Sequence, residues 1–174
     1  MKSDVIMIDN QGNGFEKTIA EARKVAAYEA LNHKDSLHLQ LCAEEMLSLA
    51  RSVTGEMQAT FWLESEGKKF DMHLSTKTVM DKEKRANLLA SATSQKNEAA
   101  STFLGKLRDA FEEAMATEAA YNIPEDALDD LANHPIVFSE WDEFEQSILK
   151  EVADDVKIAI RGDTVDMTIT KQYA

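Results

Sequence analysis

The chain has 174 residues, of which 44% are hydrophobic and 29% are charged, which is typical of one soluble globular domain. Asp and Glu number 32 against 19 Lys and Arg, a formal charge of -13 that argues against binding to nucleic acid or to an anionic membrane. A basic protein partner remains compatible with this charge. Cys42 is the single cysteine and the amino terminus has no long apolar run, so we expect a cytoplasmic protein without disulfides.

The first third of the chain predicts a strand and two helices. Residues 5–9 alternate, with Ile6 and Ile8 on one face of a short strand. Apolar residues then recur at helical spacing from Phe15 to Leu31. A second helix follows, for which Asp35 or Ser36 is the expected N-cap and Gly55 the expected end. Its predicted core stripe consists of Leu39, Cys42, Ala43, Met46, Ala50 and Val53.

Two β-hairpins are predicted from alternation of apolar and polar residues. The first joins "ATFWLES" to "KKFDMHLS" through Glu66 and Gly67, and the second joins "VKIAIR" to "TVDMTIT" through Gly162 and Asp163. Alternation indicates strands with one face on the core and one face toward solvent. A doubly wound parallel sheet, whose strands are apolar on both faces, is therefore not expected.

The middle of the chain predicts helices. Asp81 is the expected cap of a helix through Leu88 and Leu89, and a longer helix is expected from Glu98 to about Ala119. Ser139 and Asp142 resemble the start of another helix, whose apolar face holds Trp141, Phe144, Ile148 and Val152. The element order predicts a single α+β domain over residues 1–174, a two-layer sandwich with helices on one face of a mostly antiparallel, mixed sheet.

Common catalytic and metal-binding patterns are missing from the sequence. No two of the four histidines have the i, i+4 spacing of a helical metal site, and the aspartates at 126, 129 and 130 lack the spacing of a calcium loop. No nucleophile elbow, Walker loop or dinucleotide fingerprint is present. We therefore predict no metal site.

The element order and the segment "AEEMLSLARSV" resemble the histidine-kinase-like ATPase superfamily, called GHKL, and within it the anti-sigma-factor serine kinases. The resemblance covers Val5 to about Phe111 and Asp154 to Lys171. It implies the fold of that superfamily, interrupted by an insertion at about 117–153. It also implies a nucleotide site built around an E-x-x-x-N box on the second helix.

Residue by residue, the resemblance places the family glutamate at Glu45. The asparagine that holds magnesium in the family corresponds to Leu49, which has no oxygen for a hard cation. The aspartate that reads adenine corresponds to Ser75, and the two loop glycines correspond to Lys77 and Val79. These departures imply a site that has lost its magnesium position. The alternative is that Leu49 merely widens the core face of an unrelated α+β domain.

Three functions follow as expectations. The first is a non-catalytic regulatory or binding protein without a cofactor, contacting a sigma-factor-like or regulator-like partner. In this case the insertion and its aromatic residues either pack near the vacated pocket or create a partner surface. The second is an ATP-binding and magnesium-binding serine kinase in which Glu45 is catalytic and Ser75, Lys77, Lys96 and Asn97 contact the nucleotide. The third is a binder of another small ligand, anchored by Glu45 and Ser75.

Overall fold

A computed structural model of the chain describes residues 1–54, 58–100, 112 and 148–174. The predicted α+β class is confirmed. In chain order, the elements are β1 (Ile6–Ile8), α1 (Phe15–Tyr28), α2 (His33–Thr54), β2 (Ala59–Glu66), β3 (Lys69–Lys77), α3 (Lys82–Ser91), a 3-10 turn (Glu98–Ala100), β4 (Asp155–Arg161) and β5 (Thr164–Gln172). Residues 148–152, just before β4, are also helical.

The five strands form one sheet in the order β1-β2-β3-β5-β4, and each neighbouring pair is antiparallel. The expected mixed sheet is thus corrected to an antiparallel one among these strands. Both hairpins are present because Gly67 and Gly162 adopt the positive φ that their two-residue turns require. The first turn consists of Gly67 and Lys68, one residue later than predicted, since Glu66 still pairs with Lys69.

The core lies between one face of the sheet and the helices. In β2, β3, β4 and β5 every second residue is buried, as the alternation predicted. Helix α1 contributes small residues to this core and α2 contributes larger ones. The helix side of the core consists mainly of Ala22, Val25, Ala26, Leu39, Cys42, Ala43, Met46, Leu47, Leu49 and Ala50, together with Leu88 and Leu149.

The starts of α2 and α3 are fixed by capping side chains. The predicted cap of α2 at Asp35 or Ser36 is wrong because the helix begins earlier, at His33. There Asn32 Oδ1 accepts a hydrogen bond from the Asp35 N–H at 2.9 Å, and Asn32 Nδ2 donates to Asp35 Oδ2 at 2.7 Å. The predicted cap of α3 is confirmed, since Asp81 Oδ1 accepts from the Lys84 N–H at 2.8 Å.

The outer edge of β4 is covered by the segment that follows α3. Thr93 N–H donates to the Val156 carbonyl at 2.8 Å, and Thr93 Oγ1 accepts from the Val156 N–H at 2.7 Å. Asn97 continues this pairing at Ile160. An edge whose polar groups are already bonded is closed to pairing with another strand.

Three predictions fall wholly or mostly outside the described residues. They are the helix end at Gly55, the helix from Glu98 to about Ala119 apart from its first turn, and the capping box at Ser139 and Asp142. Most of the 117–153 insertion lies there too. Among the described helices, none is both long enough and apolar enough to cross a membrane.

Candidate functional site

Glu45 and Leu49 lie one turn apart on α2, where the family resemblance places its E-x-x-x-N box. Glu45 is half-buried, whereas Leu49 is 1% exposed and belongs to the hydrophobic core. The side chain at the expected magnesium position is thus an aliphatic group packed among other aliphatic groups. An oxygen ligand for a hard cation is absent at this position.

The thiol of Cys42, on the same helix, lies in an apolar environment. Burial raises the pKa of the Cys42 thiol to about 12, and the nearby Asp154 and Glu45 charges raise it further against an opposing effect of Lys171. Cys42 Sγ lies 3.7 Å from the Val152 carbonyl oxygen. Such a thiol stays protonated and unreactive at neutral pH, in line with its predicted role as a small buried hydrophobe.

Ser75 lies on the opposite face of the sheet from α2. Along β3 the buried positions include Leu74 and Thr76, which face the helices, so Ser75 faces the other way. Its hydroxyl donates a hydrogen bond to Asp166 Oδ1 of β5 at 2.6 Å. Because the sheet separates the two residues, Glu45 and Ser75 do not line one pocket.

Two of the predicted phosphate contacts are exposed lysines. Lys77 is the last residue of β3, and Lys96 lies in the segment after α3, where its backbone N–H donates to Ser94 Oγ at 3.2 Å. Val79, which corresponds to the second loop glycine, is 83% exposed. Their roles in nucleotide binding stay predictions.

Asn97 has a structural position. It is 7% exposed, and its Nδ2 donates to the Ile160 carbonyl at 3.0 Å while its Oδ1 accepts from the Ile160 N–H at 2.8 Å. The same oxygen accepts from the Ala99 N–H at 3.1 Å. The amide therefore replaces a strand neighbour at the edge of β4, and both of its polar atoms are occupied by backbone groups.

The solvent face of the sheet carries an aromatic pair that sequence reasoning did not single out. The rings of Trp62 and His73 stack with centroids 4.9 Å apart and planes 12° apart, and Lys2 Nζ lies 5.5 Å from the Trp62 ring centroid. Partial burial lowers the pKa of His73, although the charges of Glu64 and Asp71 oppose this shift. Alternation places both residues on the solvent face, but their direct pairing follows only from the observed register, since the predicted turn at Glu66 and Gly67 would place Asp71 opposite Trp62.

Hydroxyl groups and carboxylates continue across the same face. Thr170 Oγ1 of β5 donates to Asp71 Oδ1 of β3 at 2.6 Å, whereas Ser75 of β3 donates to Asp166 of β5, and His73 Nδ1 lies 3.2 Å from Thr168 Oγ1. These bonds link β3 to β5 side by side. They engage the side chains of Asp71, Ser75 and Asp166 within the sheet, whereas His73 Nε2 is buried without a hydrogen-bond partner among the described residues.

An open cleft of about 470 Å³ lies at the end of the first hairpin. Its walls carry both signs of charge, with Lys2 paired to Glu64 at 2.9 Å and Lys69 paired to Asp71 at 3.2 Å. Glu45 is not among its lining residues. In the described ranges, no cluster of three or more His, Cys, Asp or Glu side chains is arranged to hold a metal ion.

Comparison of the chain with protein-family models and with curated proteins gives no match.

Proposed function

We propose that this protein is a non-catalytic regulatory or binding module, built on an α+β scaffold like that of the anti-sigma-factor ATPases, that acts through contacts with another protein. The observation that carries the proposal is the placement of Glu45 and Ser75 on opposite sides of the sheet. The burial of Leu49 in the core and the bonding of the Asn97 amide to β4 support it. These are the positions from which the resemblance would build a magnesium and nucleotide site.

The distribution of charge favours a basic protein as the partner. Residues 101–147 contain 12 of the 32 acidic residues and 2 of the 19 basic ones, so most of the net negative charge belongs to this part of the sequence. The excess acid overlaps the proposed insertion. Complementary charge raises association rates and selects partners, which suits a sigma-factor-like or regulator-like partner with a basic surface.

A nucleotide-binding assay separates this proposal from the serine-kinase alternative. Thermal unfolding would be followed with ATP, ADP and GTP at millimolar concentration, with and without magnesium. A nucleotide at 100 times its dissociation constant adds about 2.7 kcal/mol to stability, which raises the Tm of a chain this size by several degrees. We expect an unchanged Tm.

A magnesium-dependent rise in Tm would instead support the kinase, and Lys77→Ala and Lys96→Ala would then be expected to abolish it. A rise that needs nucleotide but not magnesium would support the small-ligand alternative. Either rise would overturn the proposal of a protein-binding module without a nucleotide site.

The positive test requires a partner identified by affinity capture and then purified. Its binding is expected to weaken steeply with salt and to fall when Asp126, Asp129 and Asp130 are changed together to asparagine. The matched control neutralises the same number of exposed acids on the described elements, with Glu16→Gln, Glu83→Gln and Glu98→Gln. Equal loss in both triple variants would show that the acidic segment has no special role.

A further inference from the structure

A stripe of residues runs along the outer face of α2. Lys34, Leu37, Leu41, Glu44 and Ser48 follow one another at spacings of three and four residues, the spacing of a coiled-coil seam. The first four members of this stripe are exposed, with Leu37 at 50% and Leu41 at 38%, and the fifth, Ser48, is half-buried. The core of the domain lies on the opposite side of this helix, at Leu39, Ala43, Met46 and Ala50.

The stripe has a symmetric arrangement about Leu39. Leu37 and Leu41 each lie two residues from this midpoint, and Lys34 and Glu44 each lie five residues from it. If two copies of α2 pack antiparallel with their midpoints opposed, Leu37 of one copy meets Leu41 of the other. The same register brings Lys34 of one copy to Glu44 of the other, twice.

The charges at the two ends of the stripe fit this arrangement. Within the described residues, neither Lys34 nor Glu44 forms an ion pair. Lys34 also lies in the first turn of α2, where a positive charge opposes the helix dipole and an acid is favoured. In the antiparallel pair, Glu44 of the second copy adds a negative charge beside Lys34 at this turn, which already holds Asp35.

We propose that the outer face of α2 is a homodimer interface, occupied by α2 of a second copy in antiparallel orientation. The interface is isologous, so each contact occurs twice about the two-fold axis. The two leucines of each copy form its apolar centre, and the Lys34–Glu44 pairs fix the register at its rim. This inference does not depend on the proposed function.

Sedimentation equilibrium of the full chain, from about 1 to about 200 µM, tests the proposal. The wild type is expected to be a dimer in this range. Leu41→Glu is expected to weaken the dimer at least about 100-fold, because symmetry places two buried carboxylates in the apolar centre. Leu37→Glu gives the same result by the same reasoning. Val79→Glu, at an exposed apolar residue outside the stripe, is the control and leaves the dimer intact.

The charged pair tests the register separately. Lys34→Glu and Glu44→Lys each bring like charges together twice and are expected to weaken the dimer about tenfold. The double variant restores opposite charges and is expected to return within about threefold of the wild type. A monomeric wild type, a dimer that survives Leu41→Glu in a folded protein, or a double variant as weak as its parents would each overturn the proposal. Circular dichroism establishes that each variant is folded.

Discussion

Replacing Asn97 with alanine tests whether its amide stabilises the fold or is available to a ligand. Among its interactions, the substitution removes two hydrogen bonds to Ile160 and one from the Ala99 N–H. It also leaves the Ile160 N–H and carbonyl on the outer edge of β4 without these partners. Leaving a buried polar group unbonded costs about 1–3 kcal/mol, and partial access of water to an edge strand reduces this cost. We therefore expect a loss of about 3 kcal/mol in the free energy of unfolding.

Urea denaturation followed by circular dichroism measures this loss, and thermal unfolding is expected to show a decrease of about 6–12 °C in Tm. Lys96→Ala, one residue earlier and exposed, is the matched control and is expected to change stability by less than about 0.5 kcal/mol. A loss below about 1 kcal/mol for Asn97→Ala would refute the reasoning. Loss of nucleotide binding without loss of stability would restore Asn97 as a phosphate contact.

Three further predictions concern the core, the first loop and the sheet. Leu49→Asn introduces the asparagine of the family box and is expected to lower the free energy of unfolding by about 3 kcal/mol in urea denaturation, without creating magnesium-dependent ATP binding. The control Val79→Asn, at an exposed residue, is expected to stay near wild type, and equal stability of the two variants would contradict the burial of Leu49. Gly14→Ala is expected to lower the free energy of unfolding by at least about 1 kcal/mol more than Gly12→Ala, because both residues have positive φ but only a Cβ at Gly14 meets the Met7 carbonyl oxygen of β1. Similar Tm values for the two variants would contradict this expectation. Burial lowers the pKa of His73 below its unfolded value of about 6.5, so the neutral imidazole contributes to stability above pH 6.5 and this contribution is lost as the pH falls through the folded pKa. His73→Asn is therefore expected to flatten the dependence of the unfolding free energy on pH between about pH 7 and pH 5, and an unchanged slope would show that His73 does not cause it.

The spacing of apolar residues predicted most helices and strands correctly, because it reflects which face of each element is buried. Alternation located β2, β3, β4 and β5, and the spacing of apolar residues located α1 and α2, since each element buries one face. The order of strands in the sheet and the start of α2 were less accessible. The cap at Asn32 was missed because Asp35 and Ser36 are equally good capping residue types, and only the geometry of the reciprocal bond decides between them.

The candidate site was harder to predict because the type of a residue does not show which hydrogen-bond partners its side chain has in the folded protein. Asn97 is an amide suited to phosphate by type, yet its donor and acceptor are both bonded at the edge of β4. That role depends on β4, about sixty residues later in the chain. No local pattern indicates such a contact. The Trp62–His73 stack likewise requires the register of two strands, which the observed turn at Gly67 and Lys68 fixes.

The position of Ser75 shows how much one residue of register matters to the functional argument. Side chains of a strand alternate between faces, so a correspondence displaced by one residue moves the proposed adenine anchor across the sheet. At this level the residue that faces the helix layer is Thr76, which is 3% exposed and whose hydroxyl donates to the Gln58 carbonyl at 3.0 Å. A neutral hydroxyl already bonded to backbone is a poor substitute for a carboxylate that must accept from an adenine amino group. In either register, β3 places no carboxylate facing α2 at this level. The loss of the family's adenine anchor is therefore independent of the alignment, whereas the separation of Glu45 from the anchor position requires the alignment with Ser75.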